Sequence, residues 1–527
     1  MHAIPAARRK LIERIATAAR SLKRRGDPVA PDSFVKLYYH GVAEEDLAQY
    51  TPEELAAAAL GHLRFAAQRR RGKPAIRLYS PSEDAAHTFV EVVVEDMPFL
   101  VDSLAMVLNQ AGCIIDLMVH PVLAVRRDRA GRLLDVVEES AAQPPLFRES
   151  WQQIRIDRIV DEHKLQALHD RIAETLEDVR LAVTDWQAMC AQATAIGAEI
   201  ERDADGAHAG DAREIKALLD WMVDNHFTFL GYREYRLRRG RSEDVLEALP
   251  DTGLGILRAR PNRHLEPTRL RGELRERARD PERLIITKAN SIATVHRATY
   301  LDYIGIKVLD RAGNVTGEKR FLGLFTSAAY SHSPLHIPLL RHKIQRVIDH
   351  FGLPPDSHDG KAVLHVLETY PRDELFQARV AELTRIVRGV VNLYERQRVR
   401  VFARRDPFGR FYSALIYVPR DRYSTRVREK IEEVIRATLH ATAIESQVQL
   451  SESALARVHM IIRLPSDGGR RVDVEALEER IADAVRTWED RLREALIATH
   501  GEMEGRALAE RYAGAFPAAY QADVAVN

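Results

Sequence analysis

Between His87 and Val137 the chain switches between strand and helix periodicity, and that switching constrains its fold more than any other feature. Phe89-Val-Glu-Val-Val-Val94 is β-branched and apolar, long enough for one buried strand. Asp96-Met97-Pro98 interrupts it, and Pro98 suits the first turn of a helix. Leu100, Leu104, Val107 and Leu108 give that helix an apolar stripe, which Gly112 is expected to end as a left-handed C-cap. Strands are predicted over Cys113 to Val119 and Val122 to Val125. A turn at Asp128-Arg-Ala-Gly131 then folds the chain back into Leu133 to Val137. The order β-α-β-β opens a ferredoxin-like unit, a scaffold that often senses small molecules and rarely carries chemistry alone.

The Asp-x-x-Gly turn recurs. Asp310-Arg-Ala-Gly313 separates Ile304–Leu309 from the strand through Arg320–Phe325, and Asp406-Pro-Phe-Gly409 separates Val399–Phe402 from Tyr412–Val418. Each Asp opens a turn that a positive-φ glycine closes, so three β-containing units are expected. A length of 527 residues also exceeds one core. The expected fold class is α+β and multidomain. An N-terminal helix covers 1–33, a first unit with a helical connector 34–203, a central antiparallel sheet 211–370, a third unit 372–464, and a helical tail 465–527.

Within these bounds, Gln152–Asp157 reads as a further strand. Asp161–Leu176 and Val183–Arg202 read as helices, and Ala204–Gly210 as a linker. The central unit shows a strand from Phe227, loops and short helices over 239–282, then strands at Leu284–Asn290 and Ala293–Arg297. Helices follow near Leu335–Phe351 and Gly360–Thr369. Asp373–Arg396 reads as one long helix. From Tyr412 the order is again β-α-β-β, then a helix from Val472. No closing strand follows, and the strand at 399–403 fills that slot in a permuted arrangement.

Lys+Arg 78 against Asp+Glu 77 leaves a net charge of +1, which argues against nucleic-acid and membrane partners. Two cysteines point to a reducing, cytoplasmic setting and are too few for a zinc ribbon. The basic segment 1–25 lacks an apolar core and carries Glu13, so it reads as a cytoplasmic helix rather than a transit peptide. Arg69–Lys73 reads as a solvated helix end or loop, since no stacking aromatics interleave it.

Long specific runs give the chain a family resemblance. They include Ile285–Ser291, Thr294–Arg297, Tyr300–Gly305, Arg320–Tyr330, His358–Lys361, Glu368–Phe376 and Tyr512–Pro517. From about Phe34 to Tyr520 the chain resembles the N-terminal half of the large bacterial NAD-specific glutamate dehydrogenases. The resemblance implies ACT-like units, a PAS-like unit, and a dehydrogenase core farther C-terminal that this chain lacks. NAD then belongs to the full-length family, and no cofactor is expected here. The expected partners are that C-terminal region or a separate chain carrying it, an amino-acid effector, and further copies in a homo-oligomer.

No catalytic, cofactor or metal residue is expected. A dinucleotide site needs strand, G-x-G-x-x-G and helix, so that backbone amides meet the pyrophosphate. Gly253-Leu-Gly255 lacks the third glycine and the flanking strand. Asp251-Thr-Gly253 resembles an aspartic-protease triplet but has no second copy to share a proton. His358-Asp359 suggests a phosphohydrolase pair, yet Pro355, Asp356, Ser357 and Gly360 around it read as a helix cap.

The effector site expected of an ACT-like unit is Asp96, Pro98, Phe99, Leu100 and Val101, beside Gly112. Free amides at the helix start would take a carboxylate there. Phe99 stands where ligand-binding ACT units usually have glycine, and the competing reading is that Asp96 caps the helix and Pro98 starts it. The densest polar grouping is Lys288, Asn290, His296, Arg297, Asp302, Glu318 and Arg320, read as a pocket or an interface network. The function expected is the regulatory and assembly half of the dehydrogenase. A free-standing tandem ACT-like sensor is the rival from another class, and gene context separates the two. A hydrolase at His358 and Asp359 is a third, tested by metal content.

Overall fold

A computed structural model of the chain describes residues 6–526, apart from 82–83, 85, 138–145, 205–208, 261–265, 394–395, 397, 451–452, 466–470 and 513. Most of the linker expected at 204–210 therefore lies outside the described residues. Helices α1 (Ala6–Ser21), α2 (Pro31–Tyr38), α3 (Glu44–Leu47) and α4 (Pro52–Phe65) lead into β1 (Ala75–Tyr79), β2 (His87–Glu95), α5 (Leu100–Gln110), β3 (Ile115–Val119), β4 (Val122–Arg127), β5 (Leu133–Val137) and β6 (Phe147–Asp157). Thr51 and Glu54 form a reciprocal capping box that starts α4.

The six strands make one sheet in the order β1-β2-β6-β4-β5, with β3 also on β6. β3 and β4 are two halves of one line along β6, since Val119 pairs with Gln153 and Val122 with Ser150. Pro121 cannot donate to the ladder, and the line breaks there. The strand β1, absent from the sequence reading, pairs with β2 and fills the fourth slot of a ferredoxin-like sheet. The expected β-α-β-β order is present, and this unit too is permuted.

A strand exposes two faces, and both are covered here. On one face Val93, Val119, Val125, Leu133, Val136 and Trp151 share a core with Ile15, Phe34, Tyr38, Leu55 and Leu60 of α1, α2 and α4. On the other face Val90, Val92, Ile154 and Ile156 meet Leu104, Val107 and Leu108 of α5. They also meet Leu168, Ile172, Leu176 and Val179 of α6 (Glu162–Arg202). Asp161 caps α6 through the amides of His163 and Lys164, and the two helices expected at 161–176 and 183–202 are this one 41-residue rod. The basic run at 69–73 needs correction: Arg69 is buried, and its guanidinium, with that of Arg127, holds the buried Glu149 carboxylate at 2.7 Å.

The central sheet follows α7 (Ala209–Trp221) and a kinked turn at Met222–His226, in which Asn225 takes φ 58°. Its elements are β7 (Phe227–Arg238), β8 (Asp244–Ala248), β9 (Leu254–Gly255), β10 (Thr268–Leu270), α8 (Gly272–Arg279), β11 (Leu284–Ile292), β12 (Tyr300–Leu309) and β13 (Val315–Phe325). The strand order is β10-β8-β7-β13-β12-β11, with β9 on β7. Residues 239–282, expected as loops and short helices, thus also supply sheet strands. The strand expected at Ala293–Arg297 is instead a looped connection in which His296 takes φ 75. One face of this sheet joins the α5–α6 core through Leu230, Leu301, Leu322 and Leu324. The other, through Phe229, Ile304, Phe321 and Phe325, faces the second half of α6, α7 and the helices that follow.

Those helices are α9 (Ser327–Ser331), α10 (Leu340–Phe351), α11 (His358–Thr369), α12 (Arg372–Gln377) and α13 (Val380–Val391). The single helix expected from Asp373 breaks at Ala378, which is extended, and the Lys343 ammonium bonds the carbonyls of Leu375, Phe376 and Ala378 at the break. The third sheet has β14 (Arg400–Arg405), β15 (Phe411–Pro419), β16 (Ala443–Gln449) and β17 (Leu455–Arg463), backed by α14 (Thr425–Leu439) and α15 (Val474–Val485). Its order β14-β15-β17-β16 puts the 400–405 strand in the fourth slot, as expected. Beyond it run α16 (Trp488–His500), α17 (Glu502–Tyr512) and α18 (Ala518–Asp523).

All three Asp-x-x-Gly turns close alike. Asp128, Asp310 and Asp406 each accept the amides two and four residues on. Gly131, Gly313 and Gly409 have φ of 86°, 80° and 69°. Gly131 has a second reason to be glycine, since a Cβ there would lie 2.1 Å from the Arg69 carbonyl oxygen.

The N-terminal layer carries a pH dependence. His62 of α4 is fully buried, 2.8 Å from the Tyr38 hydroxyl, and burial pushes its imidazole down to about 3. The unfolded chain takes up this proton near pH 6.5 and the folded chain does not, so stability is complete above that pH and falls as the solution is acidified. Between pH 7 and 5 the layer should lose about 2 kcal/mol. Hydrogen exchange over residues 31–65 checks this: the loss should shrink in His62→Gln, and an equal loss in both proteins would refute the assignment.

Candidate functional site: a buried polar seam

The grouping of Lys288, Asn290, His296, Arg297, Asp302, Glu318 and Arg320 is divided by strand parity. Lys288 and Asp302 are paired neighbours on β11 and β12, on the face shared with α12. Glu318 and Arg320 lie on the opposite face with Tyr303. There Arg320 bonds Glu318 at 2.8 Å and stacks over Tyr235 at 3.8 Å, and the Tyr303 hydroxyl donates to Glu318. Arg297 donates to the Phe325 carbonyl at 2.7 Å, and Asn290 stands exposed at the strand end. His296 leaves the group altogether and meets the first unit.

The Lys288 side has the strongest electrostatics. Its ammonium lies 2.6 Å from Asp302 and 2.9 Å from Asp373 of α12, all three side chains largely buried. Asp302 also accepts the Phe325 amide, and Asp373 accepts the Tyr330 hydroxyl, each at 3.0 Å. Burial opposes the charge on Lys288, but the two carboxylates outweigh it and hold its pKa above the ordinary lysine value. Burial pushes Asp302 up to about 6 against the pull of Lys288, while for Asp373 the pull of Lys288 wins and its pKa is lowered. An ammonium so held is neither a base nor a nucleophile at neutral pH.

The network continues into the third sheet, whose inner face carries Phe402, Leu415 and Tyr417 on the helices and then turns polar. Arg404 grips Glu374 with two bonds, at 2.9 and 2.8 Å, and adds Gln377 at 3.0 Å. This fork outweighs the burial of Glu374 and lowers its pKa. His459, 3.0 Å from the Ser413 hydroxyl, is pushed down by burial. Thr287 donates to Asp406 at 3.0 Å and accepts from Arg410 at 2.9 Å. Arg463 donates to the Ala289 carbonyl and lies 3.5 Å over the Tyr300 ring. The arrangement is a seam between two sheets and α12 in which Lys288, Asp302 and Asp373, and Glu374 and Arg404, neutralise one another.

The loop 96–101 departs from the capping reading of it. Asp96 does not cap α5: its carboxylate pairs with Arg148 at 3.3 Å, and its amide bonds the Arg148 carbonyl. Pro98 sits exposed in the turn before the helix. Phe99 is the N-cap, with φ 73 and no side-chain cap bond, in the conformation a glycine would adopt freely. Leu100 is buried in the core, and Val101 is half-buried in the first turn. The Phe99 ring stands 5.1 Å from the ring of His296, whose amide donates to Ser103 and whose Nδ1 is 3.3 Å from Asp102. Gly112 ends α5 as expected, with φ 77 and the Cys113 amide reaching back to Leu108.

The other motifs have structural uses. The Gly255 amide donates to Asp185 of α6 at 2.8 Å, and a Cβ there would meet the Leu230 carbonyl oxygen at 2.1 Å, so this glycine serves close packing. Thr252 bonds the Leu249 carbonyl and the Glu234 amide inside a turn. Ser357, ahead of His358, caps α11 through Gly360. No group of His, Cys, Asp or Glu that could hold a metal occurs among the described residues, and no helix there is long and apolar enough to cross a membrane.

Sequence reading missed Asp373, Glu374, Arg404, Asp406, Arg463, and the α6 carboxylates Asp178 and Asp185. Their signal was available in part: His459 and Arg463 interrupt the apolar run Val458–Leu464.

Four family models match the chain: the glutamate dehydrogenase ACT1 domain over 34–172, helical motif 1 over 337–396, the ACT2 domain over 400–489 and helical motif 2 over 495–527. The NAD-specific glutamate dehydrogenase of Halomonas elongata is 37% identical over 527 residues, covering 98% of this chain and 32% of the relative. That of Pseudomonas aeruginosa is 34% identical over 94% of this chain and 31% of the relative. That of Mycobacterium tuberculosis is 30% identical over 90% and 29%. The chain spans about a third of the length of these relatives. The matches support the glutamate dehydrogenase family for this chain, and the two ferredoxin-like sheets fall within the two ACT matches.

Removing the central cation should expose the cost of the seam. Lys288→Met leaves two buried carboxylates facing one another and should cost about 3–5 kcal/mol. Adding Asp302→Asn and Asp373→Asn should recover most of it, read as urea midpoints. A harmless Lys288→Met would contradict the seam's role in stability.

Proposed function

We propose that this chain is the regulatory and assembly part of an NAD-dependent glutamate dehydrogenase, which oxidatively deaminates L-glutamate to 2-oxoglutarate and ammonia with NAD, the catalytic core lying outside the chain. The observation that carries the reading is the kind of segment matched: ACT domains and helical motifs, along a third of much longer dehydrogenases. The physical chemistry agrees. Hydride transfer needs a nicotinamide held against the substrate carbon. Gly255 packs against β7 and Asp185 and Gly253 against Leu257 and Arg258, and in the seam Lys288 is bonded to Asp302 and Asp373 and Arg404 to Glu374.

On this reading the units are 34–203, 211–370 and 372–464, with the central sheet a PAS-like spacer. The 465–527 tail leads toward the dehydrogenase region or a separate chain carrying it, and the whole works as a cytoplasmic homo-oligomer. Exposed Met503, Tyr512 and Tyr520 on the tail suit such docking. An amino-acid effector would act at Asp96–Val101, where it would meet the His296 ring beside Phe99.

An NADH-absorbance assay tests the reading. The chain alone should not reduce NAD with glutamate, and it should bind a separately expressed C-terminal region of a relative. Turnover by the chain alone, abolished by substitutions within it, would overturn the proposal.

A further inference from the structure

One hairpin of the central sheet, β11 and β12 with their 293–299 connection, touches the units on both sides of it. At its tip, the His296 amide donates to Ser103 of α5 at 3.0 Å, and Thr294 donates to Asp178 of α6 at 2.6 Å. Along its body, Thr287 bonds Asp406, Lys288 bonds Asp373, and the Ala289 carbonyl and Tyr300 ring hold Arg463. Only the residues between Ala289 and Thr294 separate the two sets of contacts, a reach of roughly 17 Å at full extension.

Two features mark the tip as poised rather than relaxed. Phe99 and His296, which face each other across the contact, both hold left-handed backbone, at φ 73 and 75. Side-chain-bearing residues keep that conformation only where their surroundings impose it. The β11–β12 register also slips between Lys288 and Ile292, where tip contacts give way to body contacts. Undocking the tip would free His296 from its positive φ at the loss of the Ser103, Asp102 and Asp178 bonds. The docked and undocked arrangements therefore oppose each other within one short element.

We propose that this hairpin is a mechanical relay between the two ferredoxin-like units, so that loosening its tip on α5 loosens its grip on the third sheet, and the reverse. This goes beyond the dehydrogenase reading and does not depend on it. Linkage requires the coupling to be reciprocal.

Hydrogen exchange on the full chain tests it. Ser103→Ala with Thr294→Val should raise exchange about threefold or more at 404–413 and 457–463, the scale of one lost hydrogen bond transmitted. Thr287→Val should in turn raise it at 99–103 and 293–299. Val125→Ala, in the core of the first sheet's other face, should leave 404–413 unchanged. Changes confined to the mutated unit would overturn the relay, and so would an equal rise with Val125→Ala, which would mean general loosening.

Discussion

Every sheet in this protein needs both faces covered, and α6 is the element through which that requirement is met twice. At 41 residues it runs about 60 Å. Its first half closes the core between the first and central sheets, and its second half enters the core on the central sheet's other side. A helix serving two cores cannot shift along its axis without unpacking both. Two buried carboxylates at its middle add a second restraint. Asp178 holds Thr294 and Arg260, and Asp185 holds the Gly255 amide and Arg258.

The result is a stack of alternating layers. The N-terminal helices lie on the first sheet, then come α5 and α6, the central sheet, a helical layer, the third sheet, and α14 with α15. Apolar surface supplies most of the stabilising energy in such a stack. The contacts between units follow different physics. A buried ion pair often contributes little net stability, because desolvation offsets its attraction, yet removing one partner leaves an uncompensated charge. The Lys288–Asp302–Asp373 and Glu374–Arg404 groups thus penalise wrong docking more than they reward right docking, which suits a contact that sets geometry.

Within single elements the sequence was readable because the signal is local. The three Asp-x-x-Gly turns close as expected, since an Asp carboxylate reaches amides two and four residues on and glycine accepts positive φ. The stripe of Leu100, Leu104, Val107 and Leu108 identified α5, and the strand at 399–403 took the slot foreseen for it. Errors arose where distant partners decide. Ala293–Arg297 has strand composition, but it forms a loop whose His296 amide bonds Ser103 and whose Thr294 and Arg297 side chains bond Asp178 and the Phe325 carbonyl. The helix expected from Asp373 breaks at Ala378, where Lys343 draws three carbonyls out of helical register. Arg69, in a run that reads as solvated, is buried because Glu149 awaits it across the sheet.

By itself the sequence determined the kinds of element, the repeated ferredoxin-like order, and, through long shared runs, a family resemblance. Periodicity and turn chemistry act over a few residues, so a linear reading captures them. Only the tertiary structure decided which polar residues meet. Lys288 and Asp302 share a face while Glu318 and Arg320 lie on the other, because strand register sends neighbouring residues to opposite sides. His296 belongs with Phe99, nearly two hundred residues earlier, because layers stacked by apolar burial bring them together. Charge pairing across such distances follows from packing that no local pattern records.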